Sequence, residues 1–287
     1  MTAKKTNAAM TEENLEERYE LYRSILKDLT IMSDVFMRNV LKQRACTEYV
    51  LQVIMDRKDL WVVDQVLQKD YKNLQGRSAI LDCVVRDADG NQFDVEIQQE
   101  KEGASPRRAR YHSGLMDMNT LNPGENFEKL PETYVIFITR KDVLGYELPI
   151  YHIGRSIKEN DEDFKDGSHI IYVNSANRED TELGKLMHDL NCKNATDMYN
   201  KILAKRVYEL KETQEGVELM CKEMDQIYRE GEACGEKRGE MKKAFEIAIT
   251  LFEMGEPVER IAQAVKVSTE LVQEWLSGNG ELENLNV

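Results

Sequence analysis

Histidine and cysteine are scarce in this sequence, and positive charge falls short of negative. The 39 Lys and Arg are outnumbered by 53 Asp and Glu, leaving a net charge of −14 and a pI of about 4.9. Such a field repels nucleic acid at long range and supplies little non-specific affinity. A DNA partner would have to be held in a local basic groove, weakly and in a salt-sensitive way. Part of the excess acid sits at Glu12, Glu13, Glu16 and Glu17 and part between Glu209 and Glu240, which leaves the middle of the chain less acidic than the total. The five cysteines (Cys46, Cys83, Cys192, Cys221 and Cys234) are an odd number without CxxC spacing and read as reduced, structural thiols. Four histidines, His112, His152, His169 and His188, form no HxxxH pair and offer a thiolate no partner, which argues against zinc sites and Cys–His catalysis. No apolar run approaches the roughly 18 residues of a membrane span. The opening MTAKKTNAAMTEEN is polar rather than a basic-then-apolar signal. A soluble cytoplasmic protein with no membrane partner is therefore expected.

What is present begins with length. The 287 residues and 33.2 kDa suit one main domain plus an appendage. Residues 1–30 start as a polar tail and become a charged helix-like stretch from Leu15. Ser33 is placed to cap a helix carrying Val35, Phe36, Val40 and Leu41. A further helical run extends from Thr47 to Met55, and the spacing predicts helix again over Leu60 to Gln68, with the sheet starting near Ala79. After a hairpin, a helix from Pro106 to Asn119 leads to a buried strand at Tyr134 to Thr139 through a crossover expected to be right-handed. Shorter strands are expected at Ile150 to Ile153 and Ile170 to Val173. This order predicts an α/β protein with a mixed sheet and helices on both faces.

The most informative stretch is LDCVVRDADGNQFDVEIQ, Leu81 to Gln98. In its second half Phe93, Val95 and Ile97 form one face of a strand and Asp94, Glu96 and Gln98 the other. A two-residue turn at Asp89-Gly90 would pair Asp82 with Ile97 and put the carboxylates on opposite faces. A three-residue loop, Ala88-Asp89-Gly90, with Gly90 left-handed, pairs Asp82 with Glu96 on one face, their Cβ atoms about 5 Å apart. Two ionised carboxylates at that separation repel, so one keeps a proton or a divalent cation joins them. An exposed hairpin with a merely polar outer face accounts for the same alternation. The base-rich continuation, Lys101, Arg107, Arg108 and Arg110 beside Tyr111, favours phosphodiester chemistry, since guanidinium forks fit phosphate oxygens. Any one of these arginines can instead pair with Glu100 or Glu102.

Asp82, then Glu96-Ile97-Gln98, then Arg107-Arg108-Ala109-Arg110-Tyr111 resemble the signature of PD-(D/E)XK nuclease family transposases, the group that includes recombination-promoting nucleases. The likeness continues through SDVFMRNVL from Ser33, LPETYVIFITRKDVLG from Leu130, LPIYHI from Leu148 and HIIYVN from His169, spanning roughly residues 30–215. It implies a restriction-endonuclease-like core over residues 31–180. It also implies a DNA endonuclease in which Asp82, Glu96 and the Ile97 carbonyl bind Mg²⁺, with Mn²⁺ as a substitute. Arg107, Arg108, Arg110 and Tyr111 would face DNA. Gln98 stands where the family name expects Lys, and an amide can position a water but not stabilise charge as an ammonium does. Asp34 and Glu48 are further carboxylates whose simpler reading is a solvated helix face. The residues point to phosphodiester hydrolysis and contain no strand-transfer signature.

Residues 181–243 read as a charged helical extension in which Gly231, Gly235 and Gly239 suggest a weakly helical linker, glycine costing about 1 kcal/mol per helical position. Residues 244–287 form a small helix-turn-helix-like module. One helix ends near Met254, a second runs from Val258 to Val265, and Ser268 caps a third. Ile261, Ala262 and Val265 would pack on Leu271, Val272 and Trp275, turning Thr269, Glu270 and Gln273 outward. That face has Lys266 almost alone for phosphate anchoring, so a homo-oligomerising bundle is the competing use. Two functions remain open: a Mg²⁺-dependent endonuclease using Asp82, Glu96 and Gln98, or a non-cleaving DNA-binding or protein-interaction module on the same fold.

Overall fold

A computed structural model of the chain describes residues 12–71, 77–100 and 102–277. The polar tail expected before residue 12, and Lys101, lie outside the described residues. Helices α1 (Glu12–Asp28), α2 (Asp34–Leu41) and α3 (Arg44–Ile54) come first. Ser33 stands at the α2 N-cap in extended conformation, but its hydroxyl accepts from the Thr30 amide at 3.3 Å instead of capping. The apolar stripe of α2 holds the helix in place, with Phe36, Met37, Val40 and Leu41 all buried.

The sheet starts earlier than the sequence suggests. Strands β1 (Val62–Tyr71), β2 (Ala79–Asp87), β3 (Gln92–Gln98) and β4 (Thr133–Thr139) are followed by β5 (Ile150–Ile153). A separate short pair, β6 (Ser156–Ile157) and β7 (Glu162–Asp163), comes next, and β8 (Ser168–Asn174) completes the series. The helix expected over Leu60 to Gln68 is thus corrected to strand. Leu60, Val63 and Leu67 mimic helical spacing, but Val62, Val63 and Val66 suit a pleated surface, and antiparallel pairing with β2 from Val62 to Tyr71 decides the outcome.

The main sheet is six-stranded and mixed, in the order β1-β2-β3-β4-β8-β5. The first three strands run antiparallel, β4 and β8 continue parallel to β3, and β5 closes the edge antiparallel to β8. The crossover from β3 to β4 contains α4 (Pro106–Met118), which packs on β4, β8 and β2. Its N-terminus matches the sequence reading, with Pro106 in the first turn and the Ser105 hydroxyl accepting the Arg108 amide. On the sheet, Phe93, Val95, Ile136, Ile138 and Val173 are buried, and so are Val135, Phe137 and Tyr172 in the alternate positions. Both faces are therefore covered, and β3 is a central strand with no water-facing side.

Past the sheet come α5 (Glu182–Leu190), α6 (Lys201–Glu212) and α7 (Gln214–Glu253). The chain divides into two compact units, one to Cys221 and one from Lys222. Gly231, Gly235 and Gly239, expected in a weakly helical linker, lie within the continuous 40-residue α7. In the second unit, α8 (Val258–Val265) and α9 (Thr269–Leu276) join the end of α7. Ile261, Ala262, Val272 and Trp275 form its core as their spacing predicts, Phe245 lies edge-on to Trp275, and Ser268 caps α9 by accepting the Leu271 amide. No described helix is long and apolar enough to cross a membrane.

Candidate metal centre

Turn chemistry decides the register of the β2–β3 hairpin. Asp87 and Asn91 close the loop, the Asp87 amide donating to the Asn91 carbonyl at 3.1 Å and the Gly90 amide to the Asp87 carbonyl at 3.2 Å. Ala88, Asp89 and Gly90 are the three loop residues, and Gly90 has φ +93°, a conformation open to glycine at no steric cost. The Asp87 carboxylate braces the turn by accepting from the Asp89 and Asn91 amides. Cys83 then pairs with Val95 and Val84 with Asp94, and continuing that register sets Asp82 opposite Glu96. The Asp82 amide donates to Glu96 Oε1 at 2.9 Å, tying the acidic side chain to the facing strand.

Glu96 and Asp94 are fully buried, because α4 closes over the face that a free hairpin would turn to water. Arg108 and His112, one turn apart on that helix, meet them there. Arg108 Nη2 donates to Glu96 Oε2 at 3.1 Å, its Nε to His112 Nε2 at 3.2 Å and its Nη1 to the Gly103 carbonyl at 3.0 Å. Since the guanidinium can only donate, His112 Nε2 is an acceptor and Nδ1 carries the proton, 2.9 Å from Asp94 Oδ2. Burial lowers the His112 pKa, in agreement with a neutral ring. With both ring nitrogens engaged, His112 orients the acids rather than offering a ligand lone pair.

Charge is in excess at this point. Burial first, then repulsion from Glu96 and Asp34, pushes Asp82 up to about 7. Burial, then Asp94, pushes Glu96 up to about 7. Asp94 is raised well above the carboxylate range by burial and then by Asp82, and its Oδ1 has no hydrogen-bond partner among the described residues. The acids share protons near neutrality, and a cation is the alternative way to relieve them. Asp82 opens onto a cleft of about 510 Å³ that Asp34, Gln68, Ile97 and Gln98 also line. Two facing carboxylates and the nearby Ile97 backbone are all-oxygen donors, the set that suits a hard divalent ion such as Mg²⁺. The chemistry of the residues therefore fits the metal that the resemblance implies.

The remaining candidates separate. Gln98 Nε2 reaches Glu96 Oε2 at 3.3 Å. Gly103 lies beneath Gln98, and a Cβ there would come within 2.1 Å of Gln98 Oε1. Gly103→Ala is expected to leave the fold intact, because the obstructed atom ends a flexible side chain, while moving the amide from its place. Plasmid nicking about tenfold below wild type at an unchanged melting temperature is the expected result, and unchanged nicking would deny Gln98 a positioning role. Arg107 and Arg110 are exposed on α4, whereas Arg108 turns inward. The Tyr111 hydroxyl donates to the Arg77 carbonyl. Asp34 is bonded to Arg38 at 2.7 Å beside the cleft. Glu48 is outside the site, its carboxylate accepting the Val62 amide at 2.9 Å where β1 begins.

With this geometry in view, residues 58–190 match the family model of the PD-(D/E)XK nuclease family transposases. They form a PD-(D/E)XK nuclease family transposase domain. The mixed six-stranded sheet with its flanking helices is the restriction-endonuclease-like α/β fold that goes with it. No curated protein and no solved structure gives a significant match to the chain.

Within this PD-(D/E)XK domain, three neighbours of the acidic pair escaped the sequence reading as site residues. Gln68, at a positive φ in β1, donates through Nε2 to Asp82 Oδ1 at 3.1 Å. Asp94 stands two residues before Glu96 on the same strand face, and His112 four after Arg108 on one helix face. Both spacings were visible, but only the packing of α4 on β3 joins them. The expectation that no histidine accompanies a cysteine is corrected: His188 and Cys192 are one turn apart at the end of α5, with Sγ 3.5 Å from Nδ1. Burial, then the Asp189 charge, pushes the Cys192 thiol up to about 11, so it is not a thiolate nucleophile.

Proposed function

We propose that the chain is a metal-dependent DNA endonuclease. The juxtaposition of Asp82, which lines the cleft, with the buried Glu96 facing it, both pushed up to about 7 by burial and neighbouring acids, carries this reading. Asp82, Glu96 and the Ile97 carbonyl hold Mg²⁺, with Mn²⁺ able to replace it. Such a cation, when bound, lowers the pKa of a coordinated water and offsets charge on the phosphate under attack. Gln98 positions the attacking water by hydrogen bonding from the cleft wall. Arg108 and His112 keep Glu96 in place from the opposite side, with Asp94 orienting the ring. Exposed Arg107 and Arg110, next to Tyr111, take phosphate oxygens. The acidic surroundings make binding weak and steeply salt-dependent. The C-terminal unit serves assembly between copies of the chain in this scheme, since Glu270 and Gln273 dominate the outward side of α9.

Nicking of supercoiled plasmid at low salt tests the proposal, with Mg²⁺, Mn²⁺ or EDTA, for wild type, Asp82→Ala and Glu96→Ala. Nicking that requires metal and disappears in both variants supports the endonuclease. Equal activity in all three proteins marks a contaminant. Metal-dependent binding to DNA without cleavage would favour the second reading, a non-cleaving module, which the amide at position 98 already suggests.

A further inference from the structure

A second cluster of metal-ligating side chains lies where α5 ends. His188, Asp189 and Cys192 follow one another in the sequence HDLNC, and their donor atoms all fall within 4.8 Å of one another. Cys192 Sγ is 3.5 Å from His188 Nδ1, and Nδ1 is 3.2 Å from Asp189 Oδ1. With Zn–S near 2.3 Å and Zn–N or Zn–O near 2.0–2.1 Å, tetrahedral coordination separates sulfur from nitrogen by about 3.6 Å and nitrogen from oxygen by about 3.3 Å. The two distances thus already match the edges of a zinc tetrahedron.

The surroundings hold the donors in this arrangement. Asp189 is fully buried and accepts the Tyr199 and Asn200 amides, each at 2.8 Å, one on either carboxylate oxygen. These bonds fix the acid while leaving each oxygen a further lone pair. The Tyr199 ring lies against the His188 imidazole at 4.7 Å and restrains its rotation. His188 and Cys192 are partly exposed, which gives an ion a path in and water a fourth coordination position. The end of a helix is also where its dipole favours a cation.

We propose that His188 Nδ1, Asp189 Oδ1 and Cys192 Sγ form a binding site for a zinc-class divalent cation, separate from the Asp82–Glu96 centre. A nitrogen, oxygen and sulfur set selects zinc or cobalt over the hard ions that suit the acidic pair. An ion there draws together the last turn of α5 and the Cys192 just beyond it, beside the Asp189 bonds that tie this helix end to the segment entering α6. The Leu190 carbonyl at the same helix end accepts the Met32 amide at 3.2 Å, and the Met32 carbonyl accepts from Gln99 next to the cleft. The ion therefore steadies a helix end that is bonded to a wall of the candidate active site, without supplying a reacting group.

The test is titration of the metal-free full chain with Co²⁺, read by absorption, and competition by Zn²⁺. One equivalent is expected to give tetrahedral visible bands and a near-ultraviolet thiolate-to-cobalt band. Cys192→Ser should abolish the thiolate band, and His188→Gln should weaken Zn²⁺ binding on the order of 100-fold. Asp82→Ala should keep both signals, which separates this site from the nuclease centre. Circular dichroism of each variant shows whether the fold survives, and Cys192→Ser, replacing sulfur by oxygen, retains the shape of the residue. Absence of a thiolate band in the wild type, its survival in Cys192→Ser, or its loss in folded Asp82→Ala would each overturn the proposal.

Discussion

Asp82→Asn is expected to reduce metal-dependent nicking by about 10²–10³-fold or more while raising the melting temperature of the metal-free protein at pH 8. The two effects have one origin. In the fold the Asp82 pKa is pushed up to about 7, above the ordinary 3.8, by burial and by the charge of Glu96. The unfolded chain therefore releases this proton at lower pH than the folded chain does. Wild type accumulates a penalty as pH rises through about 4 to 7, and the penalty stays constant above that. Asparagine avoids it, and its amide oxygen still accepts from Gln68. The stability difference between variant and wild type should be near zero below pH 4 and reach about 2 kcal/mol by pH 8, sharing of protons with Glu96 reducing the full linkage value. Thermal melts across this range in EDTA measure it directly. A difference independent of pH would show that Asp82 is not under the strain described. Mg²⁺ should narrow the gap by stabilising only the wild type.

Arg108→Met is expected to cost about 2 kcal/mol of stability at pH 8 and to lower nicking by about tenfold or more. The substitution keeps an apolar stem but removes the three donors that reach Glu96, His112 and the Gly103 carbonyl. It leaves the fully buried Glu96 without its adjacent cation and His112 Nε2 without a donor. The Arg108 side chain is 38 % exposed, which keeps the cost below that of breaking a wholly buried pair. The loss should shrink towards pH 5, where Glu96 is protonated and no longer needs a counter-charge. A residue acting purely as a phosphate anchor behaves differently, reducing the salt dependence of DNA binding by about one ion and leaving the melting temperature unchanged. The same two measurements on Arg107→Ala and Arg110→Ala should give that second pattern, since both side chains are exposed.

Local chemistry made several features legible before any coordinates. Ala88-Asp89-Gly90 admits a three-residue loop because Gly90 tolerates positive φ, and that loop length alone puts Asp82 and Glu96 on one face. Ser105 and Pro106 mark the start of α4, and Ser268 the start of α9, through bonds that span three residues. The packing of Ile261 and Ala262 on Val272 and Trp275 also follows from short-range spacing. The spacing of Leu60, Val63 and Leu67 misled because a strand gains its hydrogen bonds from a distant partner, here β2, and nothing within the segment announces that partner. The inward turn of Arg108 and the pairing of His112 with Asp94 escaped notice for a related reason: they exist only where α4 lies across β3, bringing residues 12 and 18 positions apart into bonding distance.

The sequence by itself determined the order of most elements and the identity of the candidate acids, and narrowed the hairpin to two registers, since each depends on backbone preferences and side-chain alternation within a few residues. Tertiary structure alone decided which register the hairpin takes, that Glu96 is buried and Asp82 partly so, which cations face them and how far their protonation is displaced, because desolvation and charge pairing depend on what packs around a group rather than on its neighbours along the chain.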